Sequence, residues 1–205
     1  MKQLLLICAV VALVGCGKKP LTKEESAKVI EAAIRKGIKK PTGELTKADL
    51  EKVTRLGIID DHQLTDVKGL EKLTQLTYLT LSNNELTNVK GLEKLTQLKI
   101  LYLNNNYITD VKGLENLTEL KTLDLQNNRL TDVKGLEKLT QLEALDVDSN
   151  QLTSVEGLEK LTKLETLWLN DNPALTKAQI DELQKALPSG GIFKPKCKIF
   201  SNPTK

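Results

Sequence analysis

Aromatic side chains are scarce in this sequence of 205 residues, because Phe, Trp and Tyr together make up only 3% of it. A packed core of this size normally draws on more large aromatic rings. Leucine dominates the apolar residues instead. A core filled by one aliphatic residue type indicates a small unit that is copied along the chain.

Cysteine and histidine are equally rare, with Cys8, Cys16, Cys197 and the single His62. Cys8 lies in an N-terminal apolar run and Cys16 is interpreted below as a modified residue. Cys197 then has no intrachain partner, and a disulfide framework is excluded. The sequence also lacks a His/Cys set at metal-ligand spacing, a nucleophile elbow, a P-loop and a Gly-rich nucleotide loop. We therefore predict no catalytic residue, no metal and no cofactor, and an enzymatic function is disfavoured.

A strong excess of charge of one sign is also missing. The chain has 30 Lys and Arg residues against 27 Asp and Glu residues, which gives a formal net charge of +3. Removal of residues 1–15 would take away only Lys2 and leave +2. This balance argues against a nucleic-acid partner and against a polybasic membrane patch.

The N-terminal residues have the pattern of a targeting signal. Lys2 precedes an apolar stretch of eleven residues, Leu4–Val14. The stretch is too short to span a bilayer, which takes about 20 apolar residues. It ends in Leu13-Val14-Gly15-Cys16, which resembles the bacterial lipobox. The alternative is an ordinary signal peptide followed by an incidental cysteine.

The lipobox resemblance implies cleavage before Cys16 and attachment of a diacylglyceryl group to its sulfur. It predicts a signal peptide at residues 1–15 and a lipidated tether at 16–21 that anchors the protein in the bacterial cell envelope. Because Gly17 rather than an aspartate follows the cysteine, the resemblance favours the outer membrane where the organism has one.

A repeat of 22 residues is the strongest signal in the sequence. The segment Leu76–Gln97 reads LTYLTLSNNELTNVKGLEKLTQ, and the next three units begin at Leu98, Leu120 and Leu142. A degenerate unit precedes them and a truncated unit follows, which makes about six units over residues 53–172. Their pattern, L-x-x-L-x-L-x-x-N-x-L, is the leucine-rich-repeat signature.

Each unit has two halves with different hydrophobic periods. Leu79 and Leu81 alternate with polar or amphipathic residues, which predicts a short strand with one buried face. Val89, Leu92 and Leu95 recur at every third residue, which favours a 3₁₀-like turn. We therefore predict an α/β solenoid, a leucine-rich-repeat horseshoe with short parallel strands on its concave face and 3₁₀-like turns on its convex face.

Helices are predicted to cover the open N-terminal end of the array. Thr22 begins a capping box, and the helix after it is expected to run to about Lys36 and to be stopped by Gly37. A second short helix is expected to begin at Thr46 and to end near Val53.

The cap boundaries follow from these elements: the N-terminal cap occupies residues 22–52, and the C-terminal cap and tail occupy 173–205. At the C-terminal end, Thr176 opens a predicted helix through Ala186 that Pro188 stops. Both caps cover leucine faces that would otherwise be open to water.

The last residues of the chain are harder to interpret. Ile192, Phe193, Ile199 and Phe200 predict that the tail packs back onto the array as a strand or a hook. Cys197 is then interpreted as a buried, apolar-type thiol, with a reactive thiol as the alternative.

The run LTDVKGLEKLTQL, together with LYLNNN, resembles the 22-residue repeats of internalin-like bacterial leucine-rich-repeat proteins. Residues 34–56 are similar to the cap that precedes such arrays. The resemblance implies a parallel-strand horseshoe whose concave face binds a partner, often a protein, and it implies no particular ligand. The array is shorter than those of invasion-type internalins and no wall-sorting tail is present, so host-cell invasion is not carried over.

Asparagine recurs at one position of every repeat. The column is interpreted as a buried ladder that satisfies backbone groups after each strand, with a polar binding stripe as the alternative. His62 takes the same position in the first unit and is interpreted as a capping substitution. The ladder consists of Asn84, Asn106, Asn128, Asn150 and Asn172.

Glycine and charged residues form further columns. The glycines indicate a turn that needs a positive φ or a close backbone approach. The lysine and glutamate columns are interpreted as solvated convex-face charges, whose pairs contribute about 0–1 kcal/mol each. The columns are Gly69, Gly91, Gly113, Gly135 and Gly157; Lys68, Lys90, Lys112 and Lys134; and Glu71, Glu93, Glu115, Glu137 and Glu159.

The outward residues of the strands supply the candidate binding site. Aromatic residues there are typical interface anchors, and acids gather in the later repeats. We hypothesise a binding strip with apolar anchors and an acidic centre that favours a basic or polyol ligand; a generic solubilising surface is the alternative. The candidates are Tyr78, Ile100, Tyr102, Asp124, Asp146, Asp148 and Trp168, and Asp171 is a further acid nearby.

Together these features predict a membrane-anchored interaction module, monomeric, that binds a protein partner through its concave face. A structural role in the envelope, through self-association or contact with peptidoglycan, is the alternative. Paired carboxylates on an open face lack the cleft of a glycosidase.

Overall fold

The computed structural model describes residues 19–59, 63–187 and 198–202. Seven short parallel strands stand side by side in one sheet, in the order of the chain. The repeating pattern therefore folds as predicted, into a leucine-rich-repeat horseshoe. The strands are β1 (Arg55–Gly57), β2 (Tyr78–Thr80), β3 (Ile100–Tyr102), β4 (Thr122–Asp124), β5 (Ala144–Asp146), β6 (Thr166–Trp168) and β7 (Lys198–Phe200).

The central leucine of each repeat strand lies in the core. Leu79 pairs in register with Leu101, and the same register continues through Leu123, Leu145 and Leu167, none of which is more than 1% exposed. Because the repeats are 22 residues long, every turn of the solenoid stacks the same residue type on its neighbour. Each leucine removed from water in this way stabilises the fold by about 1.5–3 kcal/mol.

The convex half of each repeat is a tight turn, as the three-residue period predicted. Three repeats form 3₁₀ helices, at Leu70–Lys72, Leu136–Lys138 and Leu158–Lys160. In the repeat between β2 and β3, the Leu95 N–H donates to the Leu92 carbonyl oxygen at 2.9 Å, which is the same i→i+3 bond in a turn. The leucines of these turns close the core opposite the sheet.

The N-terminal cap begins with α1 (Lys23–Ile38), which opens at the predicted capping box: the Glu25 N–H donates to Thr22 Oγ1 at 3.2 Å. The expected stop at Gly37 is wrong, because that glycine lies inside the helix. Lys39 ends α1 instead, with a left-handed φ of 57°, and the Lys39 and Lys40 N–H groups bond back to carbonyls of the last turn. A non-glycine residue thus takes the position that glycine usually fills.

The short helix α2 (Lys47–Leu50) also opens with a capping box, formed by Thr46 and Asp49. The sequence predicted that this helix ends near Val53, but it ends three residues earlier, at Leu50. Ile30 and Ile34 of α1 are buried in the same core as the repeats, so the cap closes the first leucine layer.

At the other end, α3 (Lys177–Ala186) begins at Thr176 and extends through Ala186, as predicted. Its Ile180 and Leu183 are buried against the last repeat. Pro188, Ile192 and Phe193 lie outside the described residues. The tail does return as a strand, because β7 pairs with β6 in parallel and places Ile199 beside Leu167.

The convex glutamates do more than the sequence indicated. Each accepts a hydrogen bond, at 2.6–2.7 Å, from the backbone N–H of the glycine two residues before it. Those glycines have φ values from 99° to 107°, which confirms the predicted positive-φ turn. No ion pair joins the lysine and glutamate columns within the described part of the chain. The lysines are exposed, as predicted. The glutamate carboxylates have an additional role that the sequence did not indicate, because they close the turns.

Candidate functional site

The strands place two columns of outward residues across the concave face. One column contains Tyr78 and Ile100 on adjacent strands, and it begins at Arg55. The other contains Tyr102, Asp124, Asp146 and Trp168 on four consecutive strands, and it ends at Phe200. Six of the seven sequence-predicted residues, all except Asp148, therefore form one continuous strip, which we call the concave strip.

An aromatic pair lies at the N-terminal end of the concave strip. The rings of Tyr78 and Tyr102 meet edge to face, with centroids 5.8 Å apart and planes at 77°. The Arg55 guanidinium carbon lies 4.2 Å from the Tyr78 ring centroid. Burial raises the pKa of the Tyr78 hydroxyl, the Tyr102 charge raises it further, and Arg55 acts in the opposite direction. This end thus combines two phenol groups with one positive charge.

Acidic side chains occupy the centre of the concave strip. Asp124 and Asp146 lie directly opposite each other on β4 and β5, and both are half-buried. Burial raises the pKa of Asp146 to about 6, and the charges of Asp124 and Asp148 add to the effect. Burial also raises the pKa of Asp124. The two carboxylates are therefore held where their charged form is less stable than in water.

Backbone hydrogen bonds fix the orientation of these carboxylates. Asp124 Oδ1 accepts the Gln126 N–H at 3.0 Å, and Asp146 Oδ1 accepts the Asp148 N–H at 2.9 Å. Among the described residues, no Lys or Arg nitrogen lies within 4 Å of either carboxylate. Their negative charge is therefore not neutralised by an ion pair with any of the described residues.

The third acid of the predicted site has internal partners. Asp148 accepts hydrogen bonds from the Asn170 N–H at 2.6 Å and from Asn170 Nδ2 at 3.1 Å. Asp171 lies in the bend after β6, with a φ of 53°, and exchanges two hydrogen bonds with Asn202. Asp148 borders the concave strip, whereas Asp171 belongs to the loops beside it.

A second aromatic pair closes the C-terminal end of the strip. The Trp168 and Phe200 rings are stacked, with centroids 5.9 Å apart and planes at 14°. Phe200 is 44% exposed, the most exposed aromatic ring in the described part of the chain. Trp168 lies on the strand next to Asp146, so the acidic centre is flanked by rings on both sides.

Sequence reasoning did not assign two residues of this arrangement to the concave face: it missed Arg55, and it predicted that Phe200 packs back in the tail without placing it in the strip. Arg55 stands one position before the buried Leu56, as Tyr78 stands before Leu79, but the degenerate first unit hid that match. Phe200 follows Ile199 as Trp168 follows Leu167. This match, an apolar residue followed by an aromatic one, is the only signal in the sequence that places Phe200 on the concave face.

The asparagine column lies behind the sheet and not on the concave strip. Asn128 is typical: its Oδ1 accepts the Ile108 N–H at 3.0 Å, and its Nδ2 donates to the carbonyl oxygens of Leu103 and Leu125. All five asparagines are buried, with exposures of 2–6%. These hydrogen bonds satisfy backbone groups of adjacent turns, which favours the ladder over a binding stripe.

Several sequence-based candidates lie outside the described residues, namely Cys16, His62 and Cys197. Within residues 19–59, 63–187 and 198–202, no group of three or more His, Cys, Asp or Glu side chains is placed to hold a metal ion. None of the helices in these ranges has the length and hydrophobicity that crossing a bilayer requires.

Comparison with known proteins agrees with this geometry. A family model of leucine-rich repeats (two copies) matches residues 74–116, 118–159 and 140–185, together more than half of the chain. None of the curated protein sequences compared with the chain matches it significantly.

Solved structures with the same architecture include proteins of two bacteria. Internalin C2 of Listeria monocytogenes is 27% identical with a TM-score of 0.66, over 86% of this chain and 92% of that one. An internalin (inlF) of the same organism is 26% identical with a TM-score of 0.61, over 76% of this chain, which spans about half (53%) of that one. A leucine-rich-repeat protein of Leptospira interrogans is 29% identical with a TM-score of 0.63, over 77% and 39% of the two chains. This chain belongs to the leucine-rich-repeat family, and its repeats are similar to those of bacterial internalins.

Proposed function

We propose that this protein is a lipid-anchored interaction module that binds a protein partner through the concave strip. Leucine-rich repeats typically act as protein-interaction modules, because the inner face of the solenoid is an extended binding surface. The observation that carries the proposal is the pair of half-buried carboxylates, Asp124 and Asp146, which lie between two aromatic pairs and have no Lys or Arg nitrogen within 4 Å in the described ranges.

The charge of the strip defines the partner's chemistry. A Lys or Arg side chain placed against Asp146 would supply the positive charge that the fold withholds and would lower the pKa of the carboxyl group. The attraction between the two charges is stronger at a half-buried carboxylate than at an open surface, because water screens the pair less there. We therefore infer that the bound segment is basic where it crosses β4 and β5.

The aromatic pairs would anchor the two ends of that segment. Tyr and Trp are enriched among residues that dominate binding energies, because they bury a large area at little cost in conformational entropy. Tyr102 and Trp168 are three strands apart, which is about 14 Å at a spacing of 4.8 Å. This distance fits about four residues of an extended peptide.

The size of the face indicates a modest affinity for a single contact. Seven strands span about 29 Å, and a standard interface needs about 800 Å² per partner. Attachment to a membrane would compensate, since neighbouring anchored copies raise the effective concentration. The lipobox-like Leu13-Val14-Gly15-Cys16 supports such attachment, through Cys16, in the bacterial cell envelope, with the outer membrane favoured by Gly17.

Site-specific crosslinking tests the proposal. A photoreactive amino acid at position 104, beside the strip, should capture a protein partner from intact envelopes, and the captured protein is then purified and titrated against variants. Tyr102→Ala with Trp168→Ala should weaken its binding at least about tenfold, because two anchors are lost. Asp124→Asn with Asp146→Asn should weaken it through loss of charge.

Tyr107→Ala provides the matched control, since Tyr107 is exposed outside the concave strip, where it contacts Arg129. Equal binding by all four proteins would contradict the proposal. Light scattering separates the structural alternative: a monomeric module keeps one mass, whereas a self-associating envelope protein gains mass with concentration.

A further inference from the structure

The near balance of charge over the whole chain hides a basic N-terminal end. Residues 17–56 contain eleven Lys and Arg residues and six Asp and Glu residues, a net charge of +5. Residues 57–205 contain eighteen basic and twenty-one acidic residues, a net charge of −3. The small net charge of the whole chain therefore does not exclude a basic patch, because the excess of positive charge is concentrated in the N-terminal cap.

Four exposed lysines lie in α1 or directly beside it, and we call them the basic edge: Lys19, Lys28, Lys36 and Lys39. Lys28 and Lys36 are eight residues apart in α1, which places them about 80° apart around the helix axis, on adjoining faces of the helix. Lys19 lies close to Lys28, because the positive charges of both lysines help to lower the pKa of the nearby Glu25 carboxyl group.

Most other basic residues of the cap are neutralised within the fold. Arg35 Nε contacts Glu31 at 2.8 Å, and Lys40 Nζ contacts Asp49 at 2.6 Å. By contrast, no carboxylate in the described ranges lies within 4 Å of the Nζ atoms of three members of the basic edge, Lys19, Lys28 and Lys39. Glu24 and Glu25, also exposed on α1, offset only part of this charge, and Glu25 is the acid that lies near Lys19 and Lys28.

The beginning of the described part of the chain is hydrogen-bonded to the same end of the molecule. The Leu21 N–H donates to the Gln63 carbonyl oxygen at 3.1 Å, and the Leu21 carbonyl oxygen accepts from Thr65 Oγ1 at 2.6 Å. Cys16 is five residues before Leu21, so a fully extended tether reaches about 17 Å at most. That length is about two Debye lengths at physiological salt.

From this arrangement we propose that the basic edge docks on anionic phospholipid headgroups. The attraction itself needs only the exposed lysines, since basic clusters next to a membrane bind anionic lipid. Its consequence for orientation rests on the lipid attachment at Cys16, which belongs to the proposed function. With the cap on the membrane, the solenoid axis points away from the bilayer and the concave strip stays open to a partner.

Binding to vesicles tests the inference. The full chain carrying Cys16→Ser is mixed with phosphatidylcholine vesicles or with vesicles containing 30% phosphatidylglycerol, and the bound fractions are compared. The apolar N-terminal segment contributes to both compositions, so the ratio between them isolates the effect of charge. We expect binding to the anionic vesicles to be about tenfold stronger at low salt, and the preference to fade in 0.5 M NaCl.

The triple variant Lys19→Gln, Lys28→Gln, Lys39→Gln should lose most of that preference. A matched control, Lys94→Gln, Lys112→Gln, Lys134→Gln, removes the same charge from exposed positions on the repeats and should keep it. An unchanged ratio in the cap variant, or an equal loss in the control, would overturn the proposal. Retention on heparin without any preference for phosphatidylglycerol would also overturn it, in favour of a polyanionic polymer. Capture of the protein partner by the concave strip is measured separately and does not depend on the outcome.

Discussion

The Glu137 carboxylate accepts a hydrogen bond from the Gly135 N–H at 2.6 Å and closes a turn in which Gly135 has a φ of 105°. The same pair recurs in five consecutive repeats. The turn redirects the chain into the convex half of each unit, so glycine and glutamate act together. Both residues of the pair can be tested.

Gly135→Ala should destabilise the protein by about 1–3 kcal/mol. Residues other than glycine are strained in this region of φ, and a Cβ atom would also lie 3.1 Å from Glu115 Cγ. Urea unfolding followed by circular dichroism measures the change. Gly37→Ala is the control with the opposite sign, because alanine inside α1 favours the helix by about 0.5–1 kcal/mol.

Glu137→Gln should lower stability near neutral pH but not in acid. Hydrogen bonds from its own backbone N–H and from that of Gly135 hold the pKa of the Glu137 carboxyl below 4.5. A depressed folded pKa gives stability that is complete above 4.5 and is lost as the pH falls through the folded value. We expect a loss below about 1 kcal/mol at pH 7, since the site is exposed. The difference from the wild type should shrink towards pH 3.

Glu156→Gln provides the comparison for that experiment, because Glu156 is an exposed glutamate of the same convex surface. It removes the same charge without removing a bond to a glycine N–H. An equal pH dependence in the two variants would mean that net charge, and not the turn, accounts for the effect.

The fold of the repeats could be predicted from the sequence, because the pattern that determines it lies within each short unit and recurs in every repeat. Leu79 and Leu81 alternate within one strand, and a fixed 22-residue period then determines which residues become neighbours. The helix end at Lys39 could not be predicted, because a Lys in the left-handed region is stabilised by bonds that only the folded last turn provides.

Asn128→Ala should cost about 2–4 kcal/mol. The substitution leaves the Ile108 N–H and two carbonyl oxygens without partners in a place that is only 6% exposed. The adjacent Asn127 is exposed, with a φ of 52°, and donates to Asn105 at 2.7 Å. Asn127→Ala should therefore cost only about 1 kcal/mol. Equal losses in urea unfolding would contradict the view that burial makes the ladder important.

The concave strip was predictable only in part. Its columns follow from the repeat register, so Tyr102, Asp124 and Trp168 could be assigned to one face. Phe200 arrives from a non-periodic tail, and nothing in the sequence specifies its stacking on Trp168. The half-burial of Asp146 depends on the depth of the curved face, which a linear pattern does not describe.

Asp146→Asn should stabilise the fold at pH 7 and have no effect in acid. Burial raises the pKa of Asp146 from 3.8 to about 6, so the folded protein gains stability as the pH falls from above 6 to below 3.8. Taken at face value, this shift corresponds to about 3 kcal/mol of unfolding free energy. Solvent screens this half-exposed carboxylate, so the expected gain in stability at pH 7 is about 1 kcal/mol. Asparagine keeps an oxygen for the Asp148 N–H.

Asp110→Asn is the control, because Asp110 accepts the Lys112 N–H at 3.0 Å in the same way but in an exposed hydrogen bond outside the concave strip, and it should bring no gain at pH 7. Urea unfolding at pH 7 and pH 3.5 distinguishes the two variants. A substitution that stabilises the fold commonly carries a cost in function where it removes a group used for binding. Asp146→Asn should therefore bind the basic partner more weakly above pH 6 while unfolding at a higher urea concentration. A variant that is both more stable and fully able to bind would remove Asp146 from the proposed site.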